Sequence, residues 1–390
     1  MNVVAGLLGI FSVTQPWRSG MRLRERTDRS STVSIATAHS NHSSLPSEER
    51  QWARKLDSIQ LVVQIPCLNE EETIGSVIAS IRAATADIGR VTILVVDDGS
   101  TDRTVAVALA SGADFVAKHA RNLGLARAYL SGLAAAVNLG ADIIVNTDAD
   151  NQYDASYISA IIAPILKGNA DLVVGARPIA TIAHFSPMKK LLQQVGSLVV
   201  RKLSKTEVAD ATSGFRAVSR SAAIRLNTFS DYTYTLETLI QAGRSGLRVV
   251  SVGIDINPPT RPSRLIRSMW RYVLRSAVDM VRIFTIYAPM RSYLIAGSMP
   301  VGVALLLQLR YVFLMFFSDP SRSHAPSLIL SVILAILGFL LWALGGVGEI
   351  MAVNRFLLEE MRLRNRQADA DAGRLTTQTD YVLIARNGPI

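Results

Sequence analysis

The sequence predicts an α/β domain built on a mostly parallel sheet, followed by two membrane-crossing helices. Three observations carry that expectation. Residues 58–260 alternate short β-rich runs with helical stretches, the pattern of strands covered by helices on both faces. Residues 293–317 and 327–347 are two long apolar runs, and the second holds no charge at all. The stretch that joins these parts is basic: of a net charge of +10, residues 261–291 supply seven Arg against one Asp.

Each element of the first part follows from its pattern. IQLVVQIP (59–66) reads as a strand that Pro66 stops. EETIGSVIASIRAA is an amphipathic helix that opens on acidic residues, which suit a helix N-terminus. VTILVVDD (91–98) is a second strand, and DRTVAVALASG is a helix closed by Gly112. A short strand at DFVAK and a helix at LGLARAYLSGLAAAVNLG follow. ADIIVNTDAD (141–150) is a strand running into an acidic turn. A helix at 155–167, a strand at 171–177, a helix near 188–203 and a strand at 247–254 complete the set. Ligands of such sheets bind at the carboxyl ends of the strands, and the polar clusters of this chain fall there.

The second part is a hairpin. Tyr293–Phe317 carries Gln308 and Arg310, with Arg310 near the far end, where it reaches the headgroups. The connector 318–326 is short and polar. Arg residues flank the outer ends, so the positive-inside rule puts the α/β domain and both termini on the cytoplasmic side of a plasma or inner membrane. Residues 265–291 alternate Arg with Trp270, Tyr272 and aliphatic residues, as an interfacial helix does. The domain organisation is therefore a flexible extension (1–57), an α/β domain (58–260), a basic juxtamembrane segment (261–292), the hairpin (293–348) and a cytoplasmic tail (349–390). The opening MNVVAGLLGIF is too short to span and lacks a basic flank, which argues against a signal peptide.

Composition excludes several classes. Mean hydropathy of +0.27 together with a pI near 9.9 is rare among nucleic-acid binders. The basic excess leads into an apolar hairpin, so no nucleic-acid partner is expected. The single Cys67 excludes a disulfide framework and a Cys-rich zinc site, and the five His are scattered. The pattern fits a membrane protein and leaves room for a homo-oligomer.

Six polar clusters remain: IPCLNEEETI (65–74), VVDDGSTDRT (95–104), NTDADNQYD (146–154), GAR (175–177), DATSGFRA (210–217) and TRPSR (260–264). Singly, a DD-G is an ordinary turn and a D-x-D a chance match. Together they place carboxylates at successive strand ends, where like charges repel unless a cation intervenes. Oxygen ligands of this kind suit Mg²⁺ or Mn²⁺ bridging to substrate phosphates, and Arg suits a second phosphate.

This ordered set resembles the family 2 glycosyltransferases with the nucleotide-diphospho-sugar (GT-A) fold. Within them it is most similar to the dolichol-phosphate mannose synthase and polyprenyl-phosphate glycosyltransferase branch. The resemblance covers residues 58–355 and implies inverting transfer of one sugar from a UDP- or GDP-sugar to a polyprenyl phosphate at the cytoplasmic face. It implies that Pro66, Leu68, Asn69, Glu70, Asp97 and Asp98 line the nucleotide pocket. Asp148 and Asp150 would serve sugar and metal, with Asp150 and Gln152 as direct ligands. Arg177 and Arg216 would meet the diphosphate or the acceptor phosphate, and Arg261, Ser263 and Arg264 the lipid phosphate. Two departures stand out. QAGRSG lacks the Trp of the processive synthases' Q-x-x-R-W and reads as a helix end closing at Gly246, and TRPSR replaces a Gly-Ser-Lys element. Glu237 is a candidate base on a helix. The alternatives are another membrane lipid as acceptor, or a non-catalytic nucleotide-sugar-binding relative.

Overall fold

The computed structural model describes residues 56–178, 206–227, 234–257, 284–317, 325–373 and 381–386, with a few isolated positions beside them. The N-terminal extension to residue 55, most of the helix expected near 188–203 and the segment 258–277 lie outside the described residues.

Among the described residues a nine-stranded sheet in the order β7-β5-β6-β4-β1-β2-β3-β8-β9 forms the body. β1 (Gln60–Cys67), β2 (Arg90–Asp97), β3 (Phe115–His119), β4 (Ile143–Asn146), β5 (Leu172–Ala176) and β7 (Val249–Gly253) run one way. β6 (Arg216–Ser219) and β8 (Tyr381–Ala385) run against them, and β9 (Gly388–Pro389) closes the edge. β1 does not stop at Pro66 as expected; it continues to Cys67. β4 pairs only with Leu61 to Gln64, so just one neighbouring strand remains at Pro66 and no ladder bond on the other side is missed.

Strand alternation builds two cores. Val62, Leu94 and Val96 point to one face, where α3 (Leu125–Asn138), α5 (Arg220–Arg225) and α6 (Tyr234–Arg244) pack. Leu61, Val63, Ile65, Ile93 and Val95 point to the other, against α1 (Ile74–Ala84), α2 (Thr104–Ala110) and α4 (Ile158–Leu166). Each such side chain, fully enclosed, stabilises the fold by about 1.5–3 kcal/mol. α6 ends as QAGRSG predicts: Gly246 has φ +71°, and Leu247 N donates to Ala242 O at 2.9 Å, a left-handed Gly cap.

Two helices, α7 (Pro289–Phe317) and α8 (Ala325–Asp371), are long and apolar enough to cross a membrane. They pack on each other through glycines: a β-carbon at Gly297 would stand 2.7 Å from Gly338 O. α8 does not end near residue 347. It continues for 47 residues, roughly 70 Å at 1.5 Å per residue. Its far end and the described residues beyond it are docked on the body of the domain. Arg366 donates to Leu226 O at 2.7 Å, and Leu375 and Asn138 exchange two hydrogen bonds of 2.9 Å. Tyr381–Ala385 then pairs with β3 from His119 to Phe115. A five-residue run pairing with a strand some 260 positions earlier leaves no local signature.

Candidate active site

The carboxyl ends of β1, β2, β4 and β5 share one edge of the sheet, and antiparallel β6 begins there, so the expected loops converge. The first two loops are stitched to each other. Asn69, at φ +55°, receives Thr101 N on its Oδ1 at 2.9 Å and donates its own N–H to Ser100 Oγ at 2.9 Å. Glu70 N donates to Thr104 Oγ1 at 2.8 Å, and the Glu70 carboxylate receives Thr73 Oγ1 at 2.9 Å. Asp102 receives Thr104 N and Oγ1, which hold its carboxyl below the ordinary value against the opposing push of what burial it has. Leu68 is half-buried on the rim, and Pro66 lies within β1 behind it.

The two aspartates of VVDD have different tasks. Asp97 turns back on its own loop and receives Ser100 N at 3.2 Å. Asp98 is buried and receives three donors: Leu123 N and Gly124 N at 2.9 Å, and His119 Nδ1 at 2.8 Å. His119 Nε2 in turn lies 2.9 Å from Ser131 Oγ. This enclosed chain of groups pins the start of α3 under the loop that follows β2. Sequence reasoning singled out Asp98 but had no means of finding His119, a lone His on a strand.

The acidic turn follows β4. Asp150 Oδ1 receives Gln152 N at 3.0 Å, and Asn151 takes φ +59°. Burial pushes the Asp148 carboxyl up to about 7, neighbouring Asp150 pushes the same way, and Arg177 and Arg216 oppose them. Gly214 makes room for Asp148: a β-carbon there would stand 2.8 Å from Oδ1 and 3.0 Å from Oδ2. Tyr153, of the same turn, accepts Gly214 N at 3.0 Å and stacks on Phe215 at 5.3 Å. Beneath them Asn146 donates to Gly214 O at 2.8 Å and receives Gln64 Nε2 at 2.9 Å. Burial raises the Tyr153 hydroxyl to about 12, so it stays protonated.

The two arginines differ. Arg177, at the end of β5, grips Asp210 through Nε at 2.7 Å and Nη2 at 3.2 Å, and Nη2 also reaches Thr212 at 2.8 Å. Burial favours the neutral forms, but the pairing wins: Arg177 is held above and Asp210 below its ordinary value. Arg216 is fully enclosed and donates to Ser213 O, Ala211 O and Thr238 Oγ1 at 2.8–2.9 Å. It shapes the TSGF loop from within and acts on Asp148 through its field. Gln241 caps Asn227 N at 2.7 Å, and Arg244 donates to Tyr287 O, so both have structural partners. Glu237 is buried on α6. Arg261, Ser263 and Arg264 lie outside the described residues, but the chain leading to them is anchored here: Asn257 donates to Gln152 O and Asn151 O, both at 2.9 Å.

The donor set fits a divalent cation. The Asp150 carboxylate disfavours the charge on Asp148, and a cation relieves that repulsion. Among the described residues no three His, Cys, Asp or Glu side chains gather as a metal cluster. Two carboxylates with the remaining positions left to phosphate oxygens is the manner in which Mg²⁺ and Mn²⁺ are held beside nucleotides.

Comparison with known proteins agrees with this geometry. The profile of glycosyl transferase family 2 matches residues 62–226. A UDP-N-acetylglucosamine–dolichyl-phosphate N-acetylglucosaminyltransferase of Methanococcus voltae is 32% identical over 49% of this chain and 82% of its own. An undecaprenyl-phosphate mannosyltransferase of Micrococcus luteus is 27% identical over 50% of this chain and 83% of its own. Among solved structures, glucosyl-3-phosphoglycerate synthase from Mycobacterium tuberculosis, with Mn²⁺, uridine diphosphate and glucosyl-3-phosphoglycerate, is 25% identical over 58% of this chain and 82% of its own, with a TM-score of 0.46. With the ordered motifs on one sheet edge and a relative of this identity and coverage, the chain belongs to glycosyl transferase family 2.

Proposed function

We propose that the protein transfers one sugar from a nucleotide-diphospho-sugar to a polyprenyl phosphate at a membrane face. The observation that carries the reading is the tether of Asn257 to the acidic turn. Arg261 follows four residues later, and four residues of extended chain reach at most about 14 Å. The basic TRPSR segment is thus tied by its own chain to the acidic turn, and it leads on to α7 and α8. Two relatives named for transfer to dolichyl and undecaprenyl phosphates support the same acceptor class.

In this reading Asn69, Glu70 and Asp97, with the Ser100–Thr104 turn, hold base and ribose. Asp98 and His119 keep that loop in place from behind. Asp148, Asp150 and Gln152 would hold Mg²⁺ or Mn²⁺, which would supply positive charge to the departing diphosphate. Arg177, oriented by Asp210, and the field of Arg216 add positive potential on the same side. Arg261, Ser263 and Arg264 receive the acceptor phosphate. That phosphate is already anionic at neutral pH, so attack needs no strong general base, and in-line attack inverts the anomeric centre. The helical pair α7–α8 lies in a plasma or inner membrane, with the catalytic domain on its cytoplasmic side. Radiolabelled UDP- and GDP-sugars offered with polyprenyl phosphate and Mn²⁺ test the reading. A lipid-linked phosphosugar supports it, and label passing only to a diacylglycerol-type lipid contradicts it.

A further inference from the structure

We propose that Tyr234 is a positioning residue for the cation site proposed above, on which this inference rests: its hydroxyl holds the Asp148 carboxylate in the orientation that receives the cation. Tyr234 opens α6, is almost fully enclosed, and stands outside the six polar clusters of the sequence. Three contacts fix it. Its ring stacks on Tyr129, with centroids 4.2 Å and planes 21° apart. The Arg216 guanidinium lies 5.9 Å from the ring centre. Thr238, one turn along α6, donates its Oγ1 to Tyr234 O at 2.6 Å and receives Arg216 Nη1 at 2.9 Å. Enclosed Arg216 thus clamps the first turn of α6 to the loop that precedes β6.

A pair of amides aims the hydroxyl. Gln64 Nε2 donates to Asn146 Oδ1 at 2.9 Å, which decides how the Asn146 amide is turned. Asn146 Nδ2 then donates to Gly214 O at 2.8 Å and to the Tyr234 hydroxyl oxygen at 3.2 Å. That oxygen is therefore an acceptor, and its proton is left for another group. Asp148 is placed to take it. A β-carbon on Gly214 would stand 2.8 Å from Asp148 Oδ1, 3.0 Å from Oδ2 and 3.1 Å from the Tyr234 hydroxyl. Carboxylate and hydroxyl line the same space, so they are at most about 6 Å apart, within reach of a hydrogen bond through one water. Burial, and after it the Asp148 charge, raise the Tyr234 hydroxyl, so it remains a donor at neutral pH.

The other groups around Asp148 are engaged elsewhere. Arg177 gives its hydrogen bonds to Asp210 and Thr212, and Arg216 gives its own to Ser213 O, Ala211 O and Thr238. Both arginines act on Asp148 through their fields, which attract charge without setting the angle of the carboxyl group. Tyr153 accepts Gly214 N and fixes backbone. An outer hydrogen bond is what orients a metal-binding carboxylate, and removing such a partner typically costs about 10–100-fold in metal affinity.

Two matched substitutions in the purified full chain test the role. Tyr234→Phe removes one oxygen and keeps the stacked ring. Tyr129→Phe makes the same change on the stacking partner, whose buried hydroxyl has no hydrogen-bond partner among the described residues. Mn²⁺ binding is followed by electron paramagnetic resonance with saturating UDP or GDP, beside cation-free thermal melts and amide exchange at Gly214. Tyr234→Phe should weaken Mn²⁺ by about 10–100-fold, while Tyr129→Phe binds it as the parent does. Both should melt within a few degrees of the parent. Exchange at Gly214 should stay parental, because Tyr153 and Asn146 still hold that backbone. Parental Mn²⁺ affinity in Tyr234→Phe overturns the positioning role and leaves the cation site standing. Equal weakening in Tyr129→Phe, or weakening accompanied by faster exchange at Gly214, reduces the hydroxyl to packing and overturns the role as well. A parent that binds no Mn²⁺ with either nucleotide sinks the cation site itself, and the positioning role with it.

Discussion

Gly214 closes against the Asp148 carboxylate, leaving 2.8 Å between the place of a β-carbon and Oδ1. Any side chain at 214 must displace that carboxylate. Tyr153 and Asn146 hold the Gly214 backbone from two sides, so it is Asp148 that yields. Gly214→Ala should lower kcat by at least about tenfold while costing only about 1–3 kcal/mol of stability, the usual effect of overpacking. Turnover and a thermal melt read the two effects apart, and parental turnover in the variant contradicts the placement.

The raised Asp148 carboxyl makes stability depend on pH. Its folded value of about 7 exceeds the ordinary aspartate value. The folded state therefore holds the proton more tightly, so this contribution is complete below about pH 4 and is lost as pH rises through 7. Asp148→Asn should stabilise the cation-free protein at pH 8, by on the order of 2–4 kcal/mol, and leave it unchanged near pH 4. Mn²⁺ should raise the Tm of the parent more at pH 8 than at pH 5, and Asp150→Ala should remove that increment.

Arg177 and Asp210 form an almost fully enclosed two-point pair. Arg177→Met leaves the Asp210 charge without its partner and should cost about 3–5 kcal/mol. The pair lowers the Asp210 carboxyl, so its contribution is present above the ordinary aspartate range and lost as pH falls through it. The parent should lose stability on that acid limb more steeply than Arg177→Met does. Parallel acid limbs would show that the pair contributes nothing.

His119 supports the loop after β2 from behind, through buried Asp98. His119→Ala removes one of three donors to buried Asp98 and should cost about 1–3 kcal/mol. Amide exchange at Leu123 and Gly124 should accelerate, and KM for the nucleotide-sugar should rise more than kcat falls. Unchanged exchange at those two amides argues against the role.

The C-terminal strand seals the β3 edge. Removing residues 376–390 strips β8 and β9 and exposes the β3 backbone from Phe115 to His119. Tm should fall and the protein should aggregate through that open edge. A truncated chain as stable and monodisperse as the parent contradicts a structural part for the strand.

Much of this was legible in sequence, for definite reasons. Buried parallel strands are continuous apolar runs, so β1, β2, β4 and β5 stood out, and their polar ends marked the site. β6 escaped because Arg216–Ser219 is four residues long and sits inside a motif read only for chemistry. The partners of the named residues escaped for another reason. Asp210 meets Arg177 across 33 positions, and Gly214 meets Asp148 across a sheet edge, so neither contact has a local pattern. The same non-locality hid the docking of α8 and β8 on the catalytic body. Arg216 shows the converse: its motif marked it for the diphosphate, while its enclosed donors serve the loop around Asp148.

The central claim is lipid-phosphate-directed sugar transfer through the Asp148–Asp150 turn. The most direct measurement reconstitutes the purified full chain in nanodiscs with polyprenyl phosphate and follows label from a panel of UDP- and GDP-sugars in Mn²⁺, beside Asp150→Ala. The account predicts a polyprenyl-phosphate-linked sugar of inverted anomeric configuration from the parent, and none from a folded Asp150→Ala variant. Transfer undiminished in Asp150→Ala, or transfer only to an acceptor without a phosphate, would contradict it.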